Sequence, residues 1–462
     1  MSPLFLAALA LVAWEIAVRK GPLGGLKLRL PRLPPAVCGL ALLVLVAAFA
    51  AQIGLCDVQA SQDGVRPAWL AAAPYHLVDD AYPFGSNHLI FSALALALAL
   101  VQTAALFAVV AGVTQVDAPR LVRAGACVAA VALGILALAS PVVTSGDVFG
   151  YVGIGMLKAQ AYARPSGFFH GEFARVFASY PIRPVVYGPV WIAINATVVG
   201  FGASFAGKIL ALRLFGTALL LTFVALLRVA GFRSAVLWAV ALNPMLWFQF
   251  VSNAHNDLLA IVLVAAALLA VRRRLPWLAI ALVAAAGAVK LPFVILGIVV
   301  FAEIGDRRRR VVYASIAIAL ALAGSYIFGG TAYVDAILST GRGRATWPLD
   351  VSITKAAVVV LALGATGAAL WFRRFSAFAG WLYPGLGPLL FPWYLAWAIP
   401  YACVAGTGLL EMLLVLPVAA TLADTIYALD LVALAAALLT AVLVCGRLRR
   451  GGFAAKAAIA PP

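Results

Sequence analysis

Apolar residues run along this chain in stretches of near-spanning length, separated by short polar breaks. Residues 124–139, for example, hold no charged side chain. A hydrocarbon core about 30 Å thick needs roughly 20 apolar residues in one helix. Backbone polar groups in lipid must pair within their own segment, so helices are the default. Barrel strands would alternate in polarity, and these Ala, Leu and Val runs do not. The pattern predicts an all-α polytopic membrane protein with about 13 membrane helices. No internal repeat emerges. The expected division is a three-helix membrane region at 1–123, a membrane core at 124–410, and C-terminal helices with a basic cytoplasmic tail at 411–462. A long outer loop at 144–185 would carry surface-lying helices.

Two breaks in the pattern are informative. Between Leu275 and Asp306 the apolar length suits two helices of about 13 residues, each rising roughly 20 Å and too short to span. Their junction is Val289-Lys290-Leu291-Pro292. Proline breaks a helix, and a lysine at that depth needs water or a partner. A hairpin is expected, with its elbow in an outward-facing cavity. Segments 186–206 and 393–405 are expected to be short in the same way.

Charge sets the orientation. The chain is 65% hydrophobic and 11% charged, with a formal net charge of +17, and its mean hydropathy is +1.07. The basic residues stand in short clusters at the ends of apolar runs, as cytoplasmic retention of Lys and Arg produces, so a nucleic-acid partner is rejected. Arg19, Lys20, Lys27, Arg29 and Arg32 mark one cytoplasmic linker. Asp57, Asp63, Asp79 and Asp80 mark an outer loop. Arg120 and Arg123 mark the next inner one, and Arg272–Arg274, Arg307–Arg310, Arg373–Arg374 and Arg447–Arg450 read as inner too. Residues 144–185 therefore fall outside. The first apolar segment lacks a basic start and a clear cleavage site, and reads as a retained helix. The five cysteines are scattered, without metal spacing or a disulfide framework.

Polar residues in apolar surroundings are expensive and default to functional hypotheses. Here they collect on the outer side: Asp147, Lys158, Arg164, His170, Glu172, Arg183 and Tyr187, then His255-Asn256-Asp257, then Lys290, then Arg342 and Arg344. The sequence after Asp147 reads as an amphipathic helix along the membrane surface, with Asp147, Tyr151, Gly155 and Lys158 near one face. Glycines at 150, 153 and 155 weaken it by about 1 kcal/mol each relative to alanine, which suits a close approach to the backbone. Simpler roles stand beside these. Asp147 and the Asn256-Asp257 pair are both suited to helix caps, Lys290 to snorkelling, and Trp347, Trp393 and Trp397 to an interfacial belt. No nucleotide or redox cofactor motif is present.

The ordered segments SGDVFGYVGIG, PVVYGPVWI, NPMLWFQFVSNAHNDLLA, GAVKLPFVI and FPWYLAWAIP resemble the polyprenol-phosphate-mannose-dependent mannosyltransferases. These are membrane glycosyltransferases of the GT-C class, and the nearest likeness is to bacterial α-1,6-mannosyltransferases. The resemblance covers roughly residues 140–410 and implies that Asp147 is the catalytic carboxylate and Tyr151 its companion. It aligns His255, Asn256 and Asp257 with the family's His-Asn-Asp stretch, and Lys290 with the lysine before its proline elbow. Phe149 stands where the family usually has tyrosine. Lys290 and Arg183 are expected at the donor phosphate, and Tyr151, Tyr187, His255, Asn256, Asp257 and Glu172 at the substrates. Glu172 is the one nearby second acid, which leaves a divalent cation as an open question.

The implied reaction moves a sugar, with mannose favoured, from a polyprenyl-phosphate carrier to a hydroxyl of a glycan or glycolipid. The site would face the periplasmic side of the cytoplasmic membrane. A transporter or flippase of a lipid-linked intermediate is the alternative reading, and a noncatalytic scaffold the third. A site confined to one face favours the enzyme, because transport needs access from both sides.

Overall fold

The computed structural model describes residues 30–62, 89–142, 145–162, 169–171, 173–174, 177, 185–339, 392–405 and 409–421. Every regular element among these residues is helical. The expectations placed on Arg164, Glu172, Arg183, Arg342, Arg344 and Trp347, on the first segment and on the basic tail lie outside the described residues.

The elements are α1 (Pro35–Gln62), α2 (Leu89–Val113), α3 (Arg120–Ala139), α4 (Asp147–Leu157), α5 (Pro189–Gly200), α6 (Phe205–Val229) and α7 (Ser234–Ala241). They continue as α8 (Pro244–Trp247), α9 (Asp257–Arg272), α10 (Pro276–Val289), α11 (Pro292–Gly297), α12 (Arg307–Ser339), α13 (Ile399–Ala405) and α14 (Leu409–Thr421). A 3-10 turn follows α4 at Lys158–Tyr162, another extends α11 through Ile298–Glu303, and a third at Pro392–Ala398 leads into α13. One hydrophobic cluster runs through them from Cys38 to Ala420.

Among the described residues, 5 helices are long and apolar enough to cross a membrane, or 6 if α7 and α8 with its following turn count as one bent span. The class is therefore the expected one, and of the expected number of about 13 membrane helices these 5 or 6 stand among the described residues. Local chemistry accounts for the breaks. Asn243-Pro244 interrupts the α7–α8 span with a 47° bend. There the Asn243 side chain accepts the Met245 N–H at 3.1 Å and donates to the Leu413 carbonyl of α14 at 2.7 Å. A proline with a capping Asn before it is a helix restart, because proline lacks the N–H that an inner turn would need.

The hairpin expected at 275–306 is present. α10 holds 14 residues, a rise of about 21 Å, and the chain then turns at Lys290 and returns through α11. Arg272 at the end of α9 pairs with Glu303 at the hairpin's far end, 2.9 Å apart, so both arms begin and end at the arginine-rich level. Lys290 is thereby carried to the opposite level, where α9 begins. The α5 segment is docked at the same height, because the Gly188 N–H donates to the Val289 carbonyl at 3.0 Å.

One expectation is corrected. α4 is not amphipathic with one apolar face: Val148, Phe149, Tyr151, Val152, Gly153, Ile154, Gly155 and Leu157 are all buried. A helix apolar on every side packs inside a bundle. Lys158 leaves the predicted face altogether, exposed and at a φ of 53° where the helix stops.

Candidate active site

Two helix N-termini and one elbow build the site. Asp147 is the first residue of α4; the cap position falls on Gly146, which offers no side-chain cap, and the Asp147 N–H donates to Ser145 Oγ at 3.2 Å. Asp257 is likewise the first residue of α9, after Asn256 at the cap position without a side-chain cap bond. The capping roles open to Asp147 and Asn256 are therefore not the ones they fill. Each carboxylate instead sits where the partial positive charge of a helix N-terminus favours an anion.

The approach to α9 is unusual. Phe248–Ser252 form a π-turn, a rare geometry found mostly at functional sites. The His255 N–H donates back to the Gln249 carbonyl at 3.1 Å, and Asn253 donates to Gln249 Oε1 at 3.1 Å. Between them Ala254 has a φ of 52°, a left-handed conformation that costs roughly 1–2 kcal/mol for a residue with a Cβ. The turn aims His255 at Asp147: Nδ1 lies 3.5 Å from Oδ2. The two differ sharply in access, for the His255 side chain is 0% exposed and that of Asp147 is 30% exposed.

On the other side of this pair, Lys290 Nζ donates to Asp257 Oδ1 at 2.9 Å, and the Trp397 indole donates to the same oxygen at 2.6 Å. The Lys290 ammonium also lies 4.8 Å from the Tyr394 ring centre, 5.2 Å from that of Trp397 and 5.8 Å from that of Tyr187. A cation at such distances is held by the negative ring faces. Trp397 therefore serves the site and not an interfacial belt. Its neighbour Tyr394 packs on it with ring centres 4.2 Å apart.

Tyr151 links the two carboxylate regions. Its hydroxyl donates to Asn256 Oδ1 at 3.3 Å and accepts from the Tyr187 hydroxyl at 3.4 Å. The Asn195 side chain of α5 donates to its carbonyl at 2.7 Å, and Trp191 meets its ring edge to face at 5.1 Å. Tyr187, in the loop before α5, has its phenol pushed well above the ordinary value, by burial first and by the Asp147 charge next. It therefore stays protonated and acts as a donor. Phe149 is fully buried and stacks on Phe205 at 5.6 Å, so no hydroxyl is called for there.

The structure thus brings together Asp147, Tyr151, Tyr187, His255, Asn256, Asp257 and Lys290, from four separate stretches of sequence. His170 is exposed. Trp191, Asn195, Tyr394 and Trp397 belong to the site without having been singled out for it. Their signal was faint, since aromatic residues and one asparagine in apolar helices also suit plain packing. Among the described residues, no group of three or more His, Cys, Asp or Glu side chains is placed to hold a metal ion. The question of a cation turned on Glu172, which lies outside those residues.

No curated protein and no solved structure matches the chain. A protein family does: residues 36–304 match the MptA/B family, described as alpha-(1->6)-mannopyranosyltransferase, N-terminal domain. The match contains α1 to α11 with Asp147, the π-turn, the Asp257 helix start and the Lys290 elbow. It covers more than half of the chain, and this membrane protein belongs to the alpha-(1->6)-mannopyranosyltransferase family.

Proposed function

We propose that the protein transfers mannose from a polyprenyl-phosphate carrier to an acceptor hydroxyl at the outer face of the cytoplasmic membrane, with inversion, and that Asp147 is the general base. The observation that carries this reading is the contrast within the Asp147–His255 pair. The carboxylate is 30% exposed and the imidazole behind it is sealed. A carboxylate presented to the surface from a buried polar support is what deprotonation of an incoming hydroxyl requires.

The acceptor hydroxyl gives its proton to Asp147 as its oxygen attacks the anomeric carbon. The bond from that carbon to the phosphate oxygen breaks through an oxocarbenium-like state. One displacement inverts the centre. The departing phosphate monoester is already a good anion and calls for cations, not for a general acid. Lys290 has three N–H donors, of which Asp257 takes one, and Arg183 is the second cation assigned to the phosphate. Tyr187 and Glu172 are assigned to substrate contacts, and Tyr151 and Asn256, 1% and 2% exposed, to holding Tyr187 and the Asp257 turn behind them. His255 and Asp257, with side chains 0% exposed, are reassigned from substrate contact to support, His255 for Asp147 and Asp257 for Lys290.

The test is transfer of radiolabelled mannose from polyprenyl-phosphate mannose in membranes. Asp147→Asn should accumulate normally and transfer nothing, while a nucleotide sugar should not replace the lipid donor. Normal activity of Asp147→Asn would sink the base assignment, and transfer from the nucleotide sugar would sink the lipid donor.

A further inference from the structure

The site's geometry depends on how the end of α3 and the π-turn before α9 are held, because Asp147 follows the first and His255 the second. One residue touches both. Arg213, about two turns into the membrane-spanning α6, is 1% exposed. Its Nε donates to the Ser252 carbonyl at 2.9 Å. Its Nη1 donates to the Leu138 carbonyl at 2.9 Å and to the Ser140 carbonyl at 2.5 Å. The Ser140 and Ser252 hydroxyls also meet each other across the same gap.

A guanidinium inside a membrane helix is expensive, and such residues persist where they do a task that apolar packing cannot. The carbonyls it binds belong to a helix end and a π-turn, where backbone acceptors lack partners in the regular ladder. One turn further along α6, a Cβ on Gly216 would come within 2.2 Å of the Phe250 carbonyl oxygen. α6 therefore lies directly on the backbone of the π-turn, and Arg213 grips it beside that contact. We infer that Arg213, with the Ser140–Ser252 contact, is a positioning clamp that sets the distance between Asp147 and His255. It acts seven residues before Asp147 through Ser140 and three residues before His255 through Ser252.

This rests on Asp147 being the base. Loosening the clamp misplaces the base against an acceptor that still binds, and a misplacement of about 1 Å costs up to about 100-fold in rate. Arg213→Lys keeps the charge and loses the forked geometry. It should lower kcat roughly 10- to 100-fold and leave the KM for polyprenyl-phosphate mannose within about a factor of two. If the clamp acts through His255, the loss in Arg213→Lys/His255→Ala should not exceed that of the worse single variant. Losses that multiply, or a raised donor KM with kcat unchanged, overturn the clamp. Should Arg213→Lys fail to accumulate, Ser252→Ala serves, since it removes the hydroxyl contact and keeps the carbonyl that Arg213 binds. It should show a loss in kcat alone that is non-additive with His255→Ala, and additivity there overturns the clamp as well. Asp147→Asn separates the two levels. If it is active, the proposed base and the purpose of the clamp both fall; if it is inactive and the losses multiply, the clamp alone falls.

Discussion

Lys290 and Asp257 meet at 2.9 Å and join the elbow between α10 and α11 to the first turn of α9. Both are deeply buried, with side chains 9% and 0% exposed. Removing one partner of such a pair strands the other charge and costs about 3–5 kcal/mol, whereas replacing both with apolar groups of similar volume is often close to neutral. Lys290→Met and Asp257→Leu should therefore each lower the melting temperature of the detergent-solubilised protein markedly. The Lys290→Met/Asp257→Leu double variant should recover most of the loss while staying inactive. A double variant as unstable as the sum of the singles would show that the pair is not a unit.

Trp397 completes that unit from a distant part of the chain, with its indole N–H 2.6 Å from Asp257 Oδ1. Hydrogen bonds to charged groups contribute about 1.5–3 kcal/mol. Trp397→Phe keeps a ring beside Phe293, now 5.3 Å away centre to centre, and removes only the donor and part of the ring area. A stability loss within that range is expected, together with a raised KM for the polyprenyl-phosphate donor as Lys290 loses part of its cage. Unchanged melting would mean that the indole bond does not hold Asp257 in solution.

His255 separates support from packing. Its imidazole lies 3.5 Å from Asp147 Oδ2 and fills a sealed space. His255→Gln offers a polar group of smaller volume. It should lower kcat by roughly 10- to 100-fold with a small change in KM, the pattern of an interaction used in the transition state. Asp147→Asn, by contrast, should lose transfer altogether. If His255→Gln proves as inactive as Asp147→Asn while melting normally, the imidazole itself exchanges the proton and the roles must be redrawn.

What the sequence disclosed and withheld follows from the kind of force involved. The spanning helices and the Lys290 hairpin were readable because lipid punishes a polar residue or a proline in a recognisable place. Asp147, His255, Asn256, Asp257 and Lys290 stood out for the same reason. Their partnerships did not, since the Asp257–Lys290 pair spans 33 residues and the Trp397 bond 140. The amphipathic reading of α4 failed on its periodicity. Asp147, Tyr151 and Gly155 do recur at helical spacing, but the intervening residues are apolar or small as well, and the helix is buried except on the side of Asp147 and Gly150. Arg213 drew no reading at all, because nothing in a linear pattern marks three distant carbonyls as its targets.

The α4 glycines supply the last prediction, for the structure divides a group that the sequence treats alike. A Cβ on Gly155 would lie 2.8 Å from Val199 Cγ2 and 3.1 Å from the Asn195 carbonyl oxygen, so this glycine lets α4 and α5 touch. Gly150 has nothing within 4 Å of its would-be Cβ, is half-buried, and lies three residues after Asp147, on the same side of the helix. Gly155→Val should overpack the α4–α5 contact and cost about 1–3 kcal/mol, lowering melting and activity together as the Asn195–Tyr151 bond is pushed apart. Gly150→Ala should instead raise stability by up to about 1 kcal/mol through helix propensity. If the space beside Gly150 receives substrate, that more stable protein will transfer mannose more slowly, with a raised KM for donor or acceptor. A Gly150→Ala enzyme that is both more stable and fully active would show that the open side of α4 is not where the substrates approach.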